Sequence, residues 1–145
     1  MEDFHRLFIE SKNSSGPTKL DRAEDIYLEL LEVIACSLDS YDQNRAKEML
    51  FSYFYKLYLL GERSPYEIKF INRFCYLQKE EDETLHILED AYDEHYENFF
   101  NYLRHYSSID ARNKLTILAV LIIDSSGKEK LSQDEITYLN TVCFE

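Results

Sequence analysis

The sequence contains few of the residues that interrupt helices. Its 145 residues include only 3 glycines and 2 prolines, and these fall in short polar segments between long uninterrupted stretches. Those stretches are rich in Leu, Glu, Lys and Tyr and have few Val and Thr, which favours helices over strands. With 45% hydrophobic residues, the chain is long enough to bury a full core. The prediction is an all-α, single-domain bundle of about six to eight helices.

Signals for export, membrane insertion and cysteine-based metal or redox chemistry are also missing. The opening "MEDFHRLFIE" has neither the basic nor the apolar region of a signal peptide. The longest apolar stretch, residues 115–123, is too short to span a bilayer. Cys36, Cys75 and Cys143 are widely separated and form no Cys-x-x-Cys pair. The sequence therefore predicts a cytoplasmic protein with buried, reduced thiols.

Catalytic signatures are equally scarce. The chain has no Ser-His-Asp signature, no glycine-rich phosphate loop and no His-Glu-x-x-His motif. One Glu-x-x-His occurs, from Glu83 to His86, but a di-iron site in a helical bundle requires a second copy on another helix. We therefore predict that the protein is not an enzyme.

The sequence has few basic residues relative to its acidic ones. There are 28 acidic residues against 16 Lys and Arg, a net charge of −12. This balance repels the phosphates of nucleic acids and the surface of anionic membranes, so direct binding to either is disfavoured. Basic proteins and cations are the compatible ligands, although acidity alone also serves solubility.

The acidic residues concentrate in one segment, residues 80–97, which holds nine carboxylates and no Lys or Arg. At helical spacing many of them share one solvent face. Two interpretations remain open: a solvated face, or a docking surface for a basic protein. For docking, the candidate partner-binding residues are Glu89, Asp93 and Glu97, which lie about one turn apart. Tyr92, Tyr96 and Tyr102 would add contact area.

Helix starts are marked by capping boxes, in which a cap residue and a glutamate three positions later bond to each other's amides. Three are predicted: Asp21 with Glu24, Ser64 with Glu67, and Ser132 with Glu135. Gly61 is predicted to end the helix before Ser64. The chain divides into an N-terminal helix and flexible loop at residues 1–20, with the helix starting at residue 3, and a helical domain at residues 21–145.

Two stretches share one plan: "ELLEVIACSLDSYDQNRAKEML" and "LTILAVLIIDSSGKEKLSQDEITYL". Each has an apolar helix, an aspartate at its end, a polar loop, and a helix with a glutamate in its first turns. The aspartates are Asp39 and Asp124, and the glutamates are Glu48 and Glu135. Such a repeat predicts two similar helical hairpins packed about a pseudo-two-fold axis.

The segments "AVLIIDSSGKEKLSQDEI" and "LGERSPYE" resemble the TerB-like, tellurite-resistance-associated helical domain over about residues 21–144. In that family an apolar helix leads to an Asp-Gly turn and then to Ser-x-x-Glu. The resemblance implies an all-helical cytoplasmic domain linked to stress or defence gene sets and without a defined reaction. It also implies that acidic turns hold a cation such as calcium or magnesium, here with Asp124, Glu135, Asp39 and Glu48 as candidate metal ligands.

The segment "DSSGKEKLSQDEITYL", residues 124–139, has two interpretations. As a twelve-residue calcium loop it would place Asp124 first and Glu135 last, but Lys128 would occupy the fifth position, where a ligand oxygen is needed. As a capped connection it would need positive charge near Asp124, from Lys128, Lys130 or a cation, because a helix C-terminus disfavours anions. The sequence favours the capped connection and predicts that Ser132→Ala destabilises more than Asp124→Ala.

Together these observations predict a non-enzymatic binding or scaffold module of the TerB-like type. It would be accessory to a stress response, act through a partner with a basic surface, and bind a cation weakly through its acidic turns. The alternative is an acidic inhibitor that mimics nucleic acid and occupies the nucleic-acid site of a basic protein.

Overall fold

The computed structural model describes residues 4–144, so the predicted helix start at residue 3 lies outside the described residues. Within that range the chain forms seven α-helices and no strand, and the predicted all-α fold is confirmed. The helices are α1 (Phe4–Lys12), α2 (Gly16–Ser37), α3 (Gln43–Leu60), α4 (Pro65–Phe74), α5 (Glu81–His105), α6 (Ile109–Asp124) and α7 (Gln133–Phe144). None of these helices is both long and apolar enough to cross a membrane.

The central helix is α3, which contacts α2, α4, α5, α6 and α7. Its side chains are apolar almost all round, as a helix enclosed by others requires. The ring of Tyr53 stacks on Phe99 of α5 at 4.8 Å, and its hydroxyl donates a 2.8 Å hydrogen bond to the carbonyl of Leu115 in α6. On another side Phe54 meets Phe74 of α4 edge to face at 5.5 Å. Gly61 follows the last residue of α3, as predicted.

The longest helix, α5, packs one side against α3 and turns the other to solvent. Leu88, Phe99 and Leu103 are buried on the packed side. Tyr102 is also buried, so the prediction that it adds to an exposed contact surface is wrong. Burial on this side leaves the acidic residues of the helix facing outward.

The helix α2 starts earlier than predicted, because the predicted cap residue was Asp21. The helix begins at Gly16, and the side chain of Ser15 accepts a 3.2 Å hydrogen bond from the amide of Thr18. Ser15 followed by Pro17 is a cap with a proline in the first turn, which is a stronger start signal than Asp21 with Glu24. The predicted flexible loop therefore shrinks to residues 13–15, and the division after residue 20 falls inside α2.

The cysteines are only partly as predicted. No disulfide joins them, but Cys36 is exposed on α2, whereas Cys75 and Cys143 are half-buried. The prediction that all three thiols are buried is wrong for Cys36, because this position falls on the solvent side of an amphipathic helix.

Candidate functional site

Two glutamates are buried where α3 ends and α4 and α7 begin. Glu67 in the first turn of α4 and Glu135 in the first turn of α7 are each only 1% exposed. A methyl group at Gly61 would lie 3.2 Å from Oε2 of Glu135 and 3.7 Å from Oε2 of Glu67. Both carboxyl groups therefore converge on the backbone of Gly61, and the absent side chain there leaves them room. Carboxyl groups are almost never buried this deeply without a partner.

One lysine forms a salt bridge with this pair of glutamates, through Glu135. The ammonium of Lys128 lies 2.6 Å from Oε1 of Glu135, which also accepts a 2.8 Å hydrogen bond from the amide of Ser132. Two buried acceptors remain without a hydrogen-bond partner, Oε2 of Glu135 and Oε1 of Glu67. Leaving a buried acceptor unpaired costs about 1–3 kcal/mol. The Glu67–Glu135–Lys128 group, called the acid cluster below, is therefore a costly arrangement.

Protonation reduces the charge of the acid cluster. Burial raises the pKa of Glu67 to about 8, and the negative charge of Glu135 adds to the effect. Lys128 opposes this rise, and Glu62 contributes to it. At neutral pH Glu67 therefore carries a proton, and the charges of Glu135 and Lys128 compensate each other.

The two predicted capping boxes nearby have different outcomes. At α7 the box is confirmed: the amide of Glu135 donates to Ser132 Oγ at 3.2 Å, while the Glu135 carboxylate accepts from the Ser132 amide. At α4 the cap is confirmed, because Ser64 accepts from the amide of Tyr66. Glu67 does not close that box, however, because its side chain is packed against Gly61 in the acid cluster.

Asp124 lies in a second, separate group of charges. It is 5% exposed and accepts hydrogen bonds of 2.7 Å from both Ser11 Oγ and Lys19 Nζ, with Lys12 Nζ 3.3 Å away. Burial acts to raise its pKa, but the hydrogen bonds from Lys19 and Ser11 outweigh burial and lower the pKa below its usual value. The charge compensation predicted from Lys128 or Lys130 comes instead from α1 and α2.

The connection between α6 and α7 is capped at both ends. The amide of Gly127 donates to the carbonyl of Asp124 at 2.9 Å, and Ser126 Oγ donates to the carbonyl of Ile123. Gly127 has a φ of +84°, in the left-handed region that favours glycine after a helix. Asp124 and Glu135 bond to different lysines, so the two ends of the segment do not form a common ligand cage.

The four candidate metal ligands are not brought together. Asp39 is exposed between α2 and α3, and Glu48 Oε2 lies 2.6 Å from Nε2 of His95. Across residues 4–144 the structure contains no group of three or more His, Cys, Asp and Glu side chains placed to hold a metal ion. Asp124 and Glu135 each have a lysine where a metal would need open oxygens.

Glu67 is the site residue that sequence analysis missed. The sequence does contain a signal for it: "GERSPYE" and "GKEKLSQDE" both run from a glycine to a serine cap and a glutamate three positions later. The segments that correspond chemically are therefore the α3–α4 and α6–α7 connections. In the predicted pairing of α2–α3 with α6–α7, Asp39 and Glu48 are exposed, whereas Asp124 and Glu135 are buried.

The candidate docking residues Glu89, Asp93 and Glu97 all lie exposed on the outer face of α5. Glu89 accepts a 3.1 Å hydrogen bond from the hydroxyl of Tyr55. A second row runs alongside, made of half-buried rings one turn apart. It consists of Tyr92, Tyr96 and Phe100, with ring centroids 4.9 Å and 6.2 Å apart in that order. Carboxylates and aromatic rings thus form two parallel rows, called the α5 face below.

The isolated Glu-x-x-His motif also lies on α5, near its start. Glu83 and His86 are both exposed, and His86 Nε2 lies 3.5 Å from Oδ2 of Asp90. These side chains face solvent, so they do not contribute to the acid cluster.

Comparisons of the chain with protein-family models, with curated proteins and with solved structures found no match in any of the three. The resemblance to the TerB-like family rests on the sequence motifs and stays a prediction.

Proposed function

We propose that this chain is a non-enzymatic binding module that docks a basic protein partner through the α5 face. The supporting observation is the run of carboxylates along residues 80–97, all exposed except the half-buried Glu81, in which no Lys or Arg occurs. As a module of the TerB-like type, it would act in the cytoplasm as an accessory to a stress response.

The spacing of the carboxylates supports docking because like charges one turn apart repel each other. Glu89, Asp93 and Glu97 follow at intervals of four residues, and each such pair destabilises a helix by about 0.2–0.5 kcal/mol. A basic partner would remove this repulsion when it binds. Attraction between opposite charges also accelerates association and makes it sensitive to salt.

The aromatic row adds a second kind of contact. Ring faces attract guanidinium and ammonium groups, and an example occurs within the chain, where the guanidinium of Arg104 lies 5.8 Å from the centroid of the Phe100 ring. Lys and Arg side chains of a partner would meet carboxylates on one row and rings on the next.

The experiment uses affinity capture with chemical cross-linking to find candidate partners, followed by calorimetry on the purified pair at several salt concentrations. The test variant is Glu89→Lys/Asp93→Lys/Glu97→Lys. The control is Asp25→Lys/Asp39→Lys/Glu129→Lys, which changes the net charge equally at exposed acids outside α5.

We expect the test variant to weaken binding at least about tenfold, or about 1.4 kcal/mol, while the control keeps its affinity. Equal losses in both variants would mean that net charge, and not the α5 face, attracts the partner. Unchanged affinity in the test variant would contradict the proposal. If nucleic acid competes with this protein for the same partner, the protein acts as the acidic inhibitor.

A further inference from the structure

Positive charge is required at the place where the acid cluster forms. Besides the two carboxyl groups, the carbonyl oxygen of Leu57 lies 3.8 Å from the position of a methyl group at Gly61. This carbonyl belongs to the last turn of α3, where the partial charge of a helix is negative. Oxygens from three different helices therefore lie around Gly61, and the buried Glu135 carboxylate among them needs a positive charge close by.

Lys128 supplies that cation from within the chain. Its side chain is only 12% exposed, and its ammonium contacts Glu135, whose side chain is fully buried. The cluster nevertheless keeps two acceptors unbonded, on Glu67 and on Glu135. A single ammonium thus balances the charge of the cluster but leaves two carboxyl oxygens without a partner.

Ammonium groups also contact the buried carboxylate of Asp124. There one carboxylate holds Lys12 and Lys19 together with the hydroxyl of Ser11. The TerB-like resemblance implies a divalent ion at the acidic turns. The candidate ligands Asp124 and Glu135 do not fit such an ion here, because ammonium groups already contact both carboxylates. Oxygen-rich sites attract Ca²⁺ and Mg²⁺, whereas a lysine inside the ligand set repels them.

We propose that Lys128, through its contact with Glu135, is a resident cation that takes the place of a divalent metal ion in the acid cluster. The native protein then needs no metal at this position, and removal of the ammonium converts the acid cluster into a site for a hard divalent cation. The proposal concerns the interior of the bundle and is independent of docking on the α5 face.

The test compares thermal unfolding of the native chain, Lys128→Met and the control Lys130→Met, each with chelator and with saturating Ca²⁺, Mg²⁺ or Mn²⁺. Methionine keeps most of the apolar stem of lysine, and Lys130 is an exposed lysine two positions away. We expect the melting temperature of Lys128→Met to rise by several degrees with a cation, whereas the native chain and Lys130→Met stay unchanged. Adding Glu67→Gln to Lys128→Met should abolish the rise.

Two results would overturn the proposal. One is a cation-dependent rise of equal size in the native chain, which would mean that Lys128 does not exclude the metal. The other is a Lys128→Met variant that saturating cation fails to stabilise. If this variant is unfolded without metal, circular dichroism decides, since the proposal requires helix content to return when a cation is added. A chain that stays unfolded counts against it.

Discussion

The hydroxyl of Ser11 donates a 2.7 Å hydrogen bond to the carboxylate of Asp124 and thereby joins the end of α1 to the end of α6. Lys19 bonds to the same carboxylate from α2, also at 2.7 Å. Asp124 lies at the C-terminus of its helix, where a negative charge is unfavourable, so these donors are needed to hold it there.

Asp124→Ala should therefore destabilise the fold more than Ser132→Ala, which reverses the order expected from the sequence. The alanine leaves Lys12 and Lys19 without their shared carboxylate and removes the acceptor of Ser11, an expected loss of about 2–3 kcal/mol. Ser132→Ala loses one cap, worth about 1 kcal/mol. Urea denaturation of both variants measures the difference. The order expected from the sequence would be correct if Ser132→Ala had the lower free energy of unfolding.

The raised pKa of Glu67 predicts a pH dependence of stability. Its pKa is about 8 in the folded chain against an ordinary value of 4.5, so folding favours the protonated form. The stabilising contribution is complete below the ordinary pKa and is lost as pH rises through about 8.

The melting temperature should therefore fall between about pH 5 and about pH 8.5, and Glu67→Gln should flatten this decline, because the amide cannot ionise. Calorimetry across the pH range provides the measurement. Parallel profiles for the native chain and the variant would show that Glu67 does not titrate in this range.

Gly61→Ala tests how closely the acid cluster approaches the backbone. The φ of Gly61 is −93°, so backbone strain is not involved, but the new methyl group would lie 3.2 Å from a carboxylate oxygen of Glu135. Displacing that carboxylate from Lys128 should destabilise the fold by about 1–3 kcal/mol.

The matched control is Gly16→Ala, where nothing lies within 4 Å of the added methyl group. This change should be neutral or should stabilise by about 0.4–1 kcal/mol through the unfolded state. Chemical denaturation of both variants gives the comparison. A loss at Gly61 no larger than at Gly16 would mean that the cluster has room to relax.

Sequence patterns correctly predicted the structural features that depend on hydrogen bonds between residues close together in the chain. The box between Ser132 and Glu135 was predictable because both partners lie within one turn of a helix. Ser64 and Glu67 have the same spacing, yet the carboxyl group of Glu67 turns to Gly61 and Glu135, and residue spacing within α4 contains no information about α7.

The second charge cluster was unpredictable for a related reason. Ser11 and Lys19 both lie within residues 1–20, which were predicted to form a helix followed by a flexible loop, and they belong to α1 and α2. Their partner Asp124 is far along the chain, and no periodicity links the two regions. Helix packing therefore determined which lysine neutralises which carboxylate. The sequence alone suggested Lys128, Lys130 or a cation for Asp124, whereas Lys19 contacts Asp124 and Lys128 contacts Glu135.

The bond between Ser11 and Asp124 joins residues that are 113 positions apart in the chain. During synthesis α1 is made before the other helices of the bundle, but Asp124, the partner of its Ser11, is made only after most of the bundle. Contacts between such distant positions form late because loop closure must come first. We therefore expect α1 to dock last, and pulsed hydrogen exchange during refolding should show its amides becoming protected after those of α3 and α5.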